Sequence, residues 1–347
     1  MQQAPTSPTE MLGLLRGVSR SFYVSIRLLP APLRRPVALA YLLARATDTL
    51  ADTADLPPSQ RPEKLEALAA AIDGRLPAAA MAASLASSAH LQHDVAERNL
   101  ILALPWCLSW LDELAPADRD DVRAVLRHIT YGQALDIERF AQGAPPMALQ
   151  TAAQLDEYTY LVAGCVGEFW TELCFRHLPG FAALPKHELR ELGRDYGMGL
   201  QLVNILRDAG ADLAAGRCYF PADELAAAGL RPRDILAEPD RFDPVWHRWS
   251  ALAERRLELG MRYAYAVGHR RVRAAGALPA LVGMRTLALL RLAGPQRLHR
   301  TVKVPRREVR SMMARLLFTL AGRAPLRALF GRLQGPPPGG GWENPRP

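Results

Sequence analysis

Two stretches of this chain put charge on helices that are otherwise apolar. In YLLARATDTLAD (Tyr41–Asp52) the residues Arg45, Asp48 and Asp52 interrupt a run of alanine and leucine. At about 100° per residue they share one stripe, about 60° wide, with Tyr41. In GLQLVNILRDAGADLAAGRCYFP (Gly199–Pro221) the residues Gln201, Asn204, Asp208 and Asp212 form a second stripe of similar width. Ions are not buried without partners, because desolvation costs several kcal/mol per ion. Each stripe therefore faces solvent or lines a cavity with a polar mouth.

Around these stripes apolar residues recur at spacings of three and four, and β-branched runs are scarce, so the pattern predicts helices and no strand. The expected helices run over Pro32–Thr53, Arg61–Ile72, His90–Leu111, Ala117–Gln142, Leu155–His177, Lys186–Leu213, Pro244–His269, Leu278–Leu292 and Arg306–Arg323. No composition shift divides them. The expected organisation is a flexible N-terminus over 1–10, one all-α domain over 11–333 and a disordered Pro/Gly-rich tail over 334–347. With 347 residues, 49% of them hydrophobic, the chain can build a substantial core.

The most apolar run, GALPALVGMRTLALLRLAG, is interrupted by Arg285 and Arg291, so no transmembrane span is expected. The N-terminus lacks the basic and apolar regions of a secretory signal, and Cys107, Cys165, Cys174 and Cys218 have no CxxC spacing. A reducing cytoplasm is expected, with the thiols as small core residues. A net charge of +8 narrows the partners to anions: nucleic acid, anionic lipid or phosphorylated substrates. Arg297, Arg300, Lys303, Arg307 and Arg310 recur every three or four positions, as on a solvated helix face or an anion site. From Val309 to Leu333 arginines alternate with large apolar residues, a pattern that either docks on the core or lies on an anionic membrane.

Two carboxylates one turn apart, without His or Cys, make a poor zinc site. They suit Mg²⁺, which keeps several waters and takes one or two carboxylates plus phosphate oxygens. Arg45, Arg207 and Arg217 match phosphate geometry. The alternative is a pair of solvated acidic faces with the arginines in ordinary ion pairs. Between the stripes, LDEYTYLVAGCVGEFW sets Tyr158, Val162, Cys165 and Phe169 on one helical face, beside Ala163, Gly164, Val166 and Gly167. Such small residues admit either a packed helix or a flat hydrocarbon chain. A tyrosine at the end of that groove would relay a proton or turn its ring to a cation. Gly193, Gly197 and Gly199 each cost a helix about 1 kcal/mol and imply close packing or substrate approach. His90, His93, Asp94 and Glu97 mimic ligand spacing but read better as a solvated helix start.

Through SRSF (Ser19–Phe22), YLLARATDTLAD, YLVAGCVG and LQLVNILRDAGADLAAGRCYFP, in that order, the chain resembles the squalene/phytoene synthase family from about Gly17 to Arg310. Its YLxxRAxDT and TVKVPRREV segments resemble squalene synthases more than phytoene synthases. The resemblance implies an all-α, single-domain, isoprenoid-synthase-type helical bundle around a central cavity. It also implies head-to-head condensation of two farnesyl diphosphates, through presqualene diphosphate, to squalene with NADPH reduction. Within the family the alternatives are synthases of presqualene diphosphate, dehydrosqualene or phytoene. Outside it, the alternative is a non-enzymatic basic scaffold for nucleic acid or lipid.

Carried over by motif, Asp48, Asp52, Asp208 and Asp212 would bind Mg²⁺ with diphosphate. Ser19, Ser21, Arg45, Gln201, Asn204, Arg207 and Arg217 would line or grip the diphosphates. Tyr158 would sit at the reacting carbons, and Phe22, Tyr41, Val162 and Gly167 would shape the tunnel. Lys303 would contact the nicotinamide cofactor's phosphate or the diphosphate. The chain departs from eukaryotic squalene synthases at Ala51 and Thr53, where they carry two further acids, and at Pro305, beside Arg306, where a basic residue is usual. These departures bear on the reductive step. The implied partners are farnesyl diphosphate, Mg²⁺ and NADPH, with no nucleic acid. A monomer is expected in the cytoplasm, peripheral at the inner face of the membrane through its basic C-terminal segment.

Overall fold

The computed structural model describes residues 8–19, 23, 26–27, 29–53, 56–141, 145–318 and 323–334. Ser21 and Phe22 lie outside the described residues, as do 1–7 and 335–347 of the expected flexible ends. Among the described residues the regular elements are helices apart from a two-residue parallel pair, β1 (Met147–Ala148) with β2 (Arg217–Cys218), and one isolated bridge between Ala182 and Val267. That pair was not expected. Two residues are too few to carry an alternating pattern.

The chain divides into two compact units. The first comprises Met1–Ala141 and Cys165–Phe181. Its helices are α1 (Pro8–Val18), α2 (Ala31–Asp52), α3 (Arg61–Ile72), α4 (Ala78–Leu91), α5 (Val95–Leu102), α6 (Leu104–Asp112) and α7 (Pro116–Arg139). Helix α2 is the centre of this unit, packed against α1, α3, α5, α6 and α7. Leu33, Leu39, Leu42, Leu43, Ala46 and Leu50 are almost wholly buried on it. It stops at Thr53, whose backbone is extended and whose hydroxyl donates to the Thr49 carbonyl (2.5 Å).

The single helix expected over His90–Leu111 is three, α4 to α6. Asp94 causes one break: its carboxylate accepts from the backbone N–H of Ala96 (2.8 Å) and Glu97 (3.1 Å), capping α5. Asp94 is thus the helix start the sequence suggested. Pro105 opens α6. All of α4 before His90 was missed because its alanine-rich sequence has no marked apolar stripe.

The second unit comprises Gln142–Gly164 and Ala182–Pro347. It holds α8 (Ala152–Thr159) and a π-helical turn at Tyr160–Gly164, after which the chain continues as α9 (Cys165–His177) of the first unit. It also holds α10 (Lys186–Ala214), α11 (Ala222–Ala227), α12 (Pro239–Ala266), α13 (Arg270–Ala293), α14 (Arg306–Phe318) and α15 (Arg323–Gln334). Helices α12 and α13 start earlier than expected because Pro244 and Pro279 lie inside them rather than at their ends.

Helix α10 runs along α12 and the π-turn, and glycine lets both come close. A Cβ on Gly197 would stand 2.2 Å from the Ala163 carbonyl oxygen, so the small residues of YLVAG serve helix packing here. A Cβ on Gly210 would stand 1.8 Å from the Leu298 carbonyl oxygen. Helix α13 lies in a stretch (Arg270–Leu298) long and apolar enough to cross a membrane, but half of its apolar window is buried within the protein, as in many core helices.

Candidate active site

On α2 the first stripe is built as the sequence implied. Tyr41 and Arg45 are half-buried, and Asp48 and Asp52 are exposed. Arg45 forms an ion pair with Glu97, the α5 residue that sequence reasoning set aside, and Gln133 of α7 donates from Nε2 to Asp48 Oδ1. Asp48 is accessible to solvent, yet protein crowds its carboxyl group. That desolvation, followed by the charge of Asp52 one turn away, pushes its pKa up to about 6 against the pull of Gln133 and Arg45. Desolvation works against the Arg45 charge, but Glu97 and Asp48 outweigh it and leave the guanidinium pKa raised. Gly167 is half-buried on α9 of the same unit, and Ser19, half-buried, follows α1.

The second stripe lies on α10. Arg207 grips the neighbouring Asp208 with two hydrogen bonds (2.8 and 2.5 Å), which hold its guanidinium above the ordinary range. Arg217, on β2, donates to Asp212 (3.2 Å), and Asn204 donates to Gln201 (3.2 Å). Pairing of β2 with β1 fixes Arg217: the Met147 N–H donates to the Gly216 carbonyl and the Leu149 N–H to that of Cys218. Val162 is half-buried in the π-turn.

Tyr158 stacks on Tyr219, with ring centroids 4.9 Å apart and the hydroxyls at 3.4 Å. Tyr219 was missed as a candidate, although it stands two residues after Arg217 in the quoted motif. The expected face of Tyr158, Val162, Cys165 and Phe169 does not run through. The π-turn adds a residue to the turn and shifts the register beyond it.

The basic run from Arg297 to Arg310 is not one helical face. Arg297 is only 2% exposed, pairs with Asp243 and lies 3.8 Å from the Trp246 ring centroid. It is a packing cation, with its pKa lowered by burial. Residues 301–305 have no regular secondary structure, with Val302 buried and Lys303 exposed. A surface hollow of about 610 Å³ is lined by Asp223, Glu224, Arg241 and Arg248, among others, and by no residue of either stripe. It is not read as the reaction site.

Among the described residues no group of three or more His, Cys, Asp or Glu side chains gathers as a metal cage. Each stripe offers a pair of hard oxygen donors, the number Mg²⁺ takes when phosphate supplies the rest. Asp52, one turn from Asp48, sets a second negative charge beside it, and a dication would balance the two.

The family model described as squalene/phytoene synthase matches residues 15–308, and the chain belongs to that family. It is 30% identical to a phytoene synthase of Thermus thermophilus over 84% of this chain and 85% of that one. It is 28% identical to squalene synthase ERG9 of Saccharomyces cerevisiae over 64% of this chain and 47% of that one. The chain spans about a third of the length (37%) of a bifunctional lycopene cyclase/phytoene synthase of Leptosphaeria maculans, at 29% identity over 66% of this chain. Its fold is that of TcSQS solved with the ligand BPH1237 (TM-score 0.72, 20% identity, 94% of this chain and 97% of that one). The expected all-α, isoprenoid-synthase fold is the observed one.

Proposed function

We propose that this chain is a Mg²⁺-dependent squalene synthase that condenses two farnesyl diphosphates head to head, through presqualene diphosphate, and reduces the product with NADPH as hydride donor. The observation that carries the reading is the repeated device on α2 and α10: a carboxylate pair one turn apart with an arginine held beside it. When bound, Mg²⁺ would supply positive charge to the diphosphate leaving group. Asp48 and Asp52 would hold it on α2, and Asp208 and Asp212 on α10.

Arg207 and Arg217 would then trade their carboxylate partners for phosphate oxygens, which present the same acceptor geometry. The stacked pair Tyr158–Tyr219 offers ring faces to an allylic cation and a hydroxyl to receive its proton. Water would convert that cation to an alcohol, and the buried apolar neighbours of α10 would keep it away.

A phytoene synthase is the second reading, favoured by the named relative that covers 84% of this chain. Product analysis separates the two. Squalene from farnesyl diphosphate, formed only with Mg²⁺ and NADPH, supports the first reading. Product from geranylgeranyl diphosphate without NADPH supports the second.

Contact with a membrane surface belongs to the same reading, because a C30 hydrocarbon has no place in water. On α14 and α15 the arginines 306, 307, 310, 315, 323, 327 and 332 are exposed, while Met312, Leu316, Leu326, Leu329 and Phe330 are buried against the protein. Such a face would bind anionic lipid by charge rather than by insertion.

A further inference from the structure

The first acidic stripe is held in place from α7. Gln133 is only 7% exposed, and its Nε2 donates to Asp48 Oδ1. An ionised carboxylate only accepts, so the nitrogen must be the end that meets it. This leaves Oε1 inside the protein, buried and with no hydrogen-bond partner among the described residues. An unmet buried acceptor costs about 1–3 kcal/mol. A methionine or leucine would fill the same space between α2 and α7 without that cost. The amide therefore has a use that packing does not supply.

On the reading that Asp48 binds a divalent cation, we propose that Gln133 is the positioning residue of that site. Its N–H fixes the Asp48 carboxylate in one orientation, so that the carboxylate is set before a hydrated cation arrives. Mg²⁺ keeps several of its waters. Groups that hydrogen-bond a metal's ligands orient them, and their loss weakens metal affinity roughly 10- to 100-fold.

The test is Mn²⁺ binding with inorganic pyrophosphate present, read from the loss of the free-ion electron paramagnetic resonance signal in metal-stripped wild type and Gln133→Met. The variant is expected to bind at least tenfold more weakly and to need correspondingly more Mg²⁺ for half-maximal turnover. Its melting temperature in EDTA should stay close to that of the wild type. A lower melting temperature with unchanged cation affinity means a purely structural role and overturns the proposal.

Should Gln133→Met fail to fold, Gln133→Asn keeps a neutral amide but draws its N–H back from Asp48. Mn²⁺ is then expected to raise its melting temperature less than that of the wild type, and an equal or larger rise overturns the proposal. If the wild type takes up no Mn²⁺, the cation reading of Asp48 fails and this inference falls with it. If the wild type binds and Gln133→Met binds equally well, only this inference fails.

Discussion

At Asp48 stability and function pull in opposite directions. Its folded pKa of about 6 stands above the ordinary 3.8, so between those values the folded chain holds more protons than the unfolded one. Stability therefore falls as pH rises through that window, and the full deficit remains above it. In EDTA, Asp48→Asn is expected to raise the melting temperature at about pH 7.5 and to leave it nearly unchanged near pH 4. In the steady-state assay it and Asp208→Asn should each lower turnover at least a hundredfold, about 2.7 kcal/mol of barrier. Near-normal diphosphate release by either variant would remove the metal assignment. The four cysteines are buried and in no disulfide, and burial pushes the thiols of Cys107, Cys165 and Cys218 up to about 12 and that of Cys174 higher still. A disulfide reagent at mildly alkaline pH should leave the native thiols largely untouched and titrate all four in denaturant. Rapid reaction of the native protein would contradict their burial.

At the level of elements, glycines of the same type carry opposite expectations. Gly276 of α13 has nothing within 4 Å of its would-be Cβ, so Gly276→Ala should stabilise the helix by about 0.5–1 kcal/mol. Gly197→Ala drives a methyl group into the Ala163 carbonyl and should lower the melting temperature by several degrees despite alanine's better propensity. Calorimetry of the two variants checks both signs. The long striped helices were legible in the sequence because burial on one face leaves a 3.6-residue period, and Arg61–Ile72 was placed to the residue. Helix α4 was hidden because alanine on every side carries no phase, and α12 because Pro244 reads as a start when it sits inside. The π-turn left no periodic trace, since a single wide turn alters the phase only of the residues C-terminal to it. Both aspartate pairs were legible. The supports of the first stripe, Glu97 and Gln133, were not, because each reaches its partner from another helix with no motif of its own, and Tyr219 was passed over inside a motif because nothing in the spacing shows that it stacks on Tyr158.

For the whole molecule, the charge is unevenly placed: α14 and α15 carry seven arginines against the single Glu308, which Arg285 already holds at 2.7 Å. In flotation assays the protein should rise with anionic vesicles at low salt, stay down with neutral ones, and be released as ionic strength shortens the Debye length from about 10 Å at 0.1 M toward 3 Å at 1 M. Binding to neutral vesicles, or binding indifferent to salt, would refute a charge-driven contact. The carbonyl of Leu298 seated on Gly210 has one more outcome. It pins the connecting strand to the turn of α10 that lies between Asp208 and Asp212, and Lys303 comes five residues later. Five residues of extended backbone reach about 17 Å at most. The backbone of Lys303 is thus tethered, by a short span of chain, to the turn that carries the second carboxylate pair.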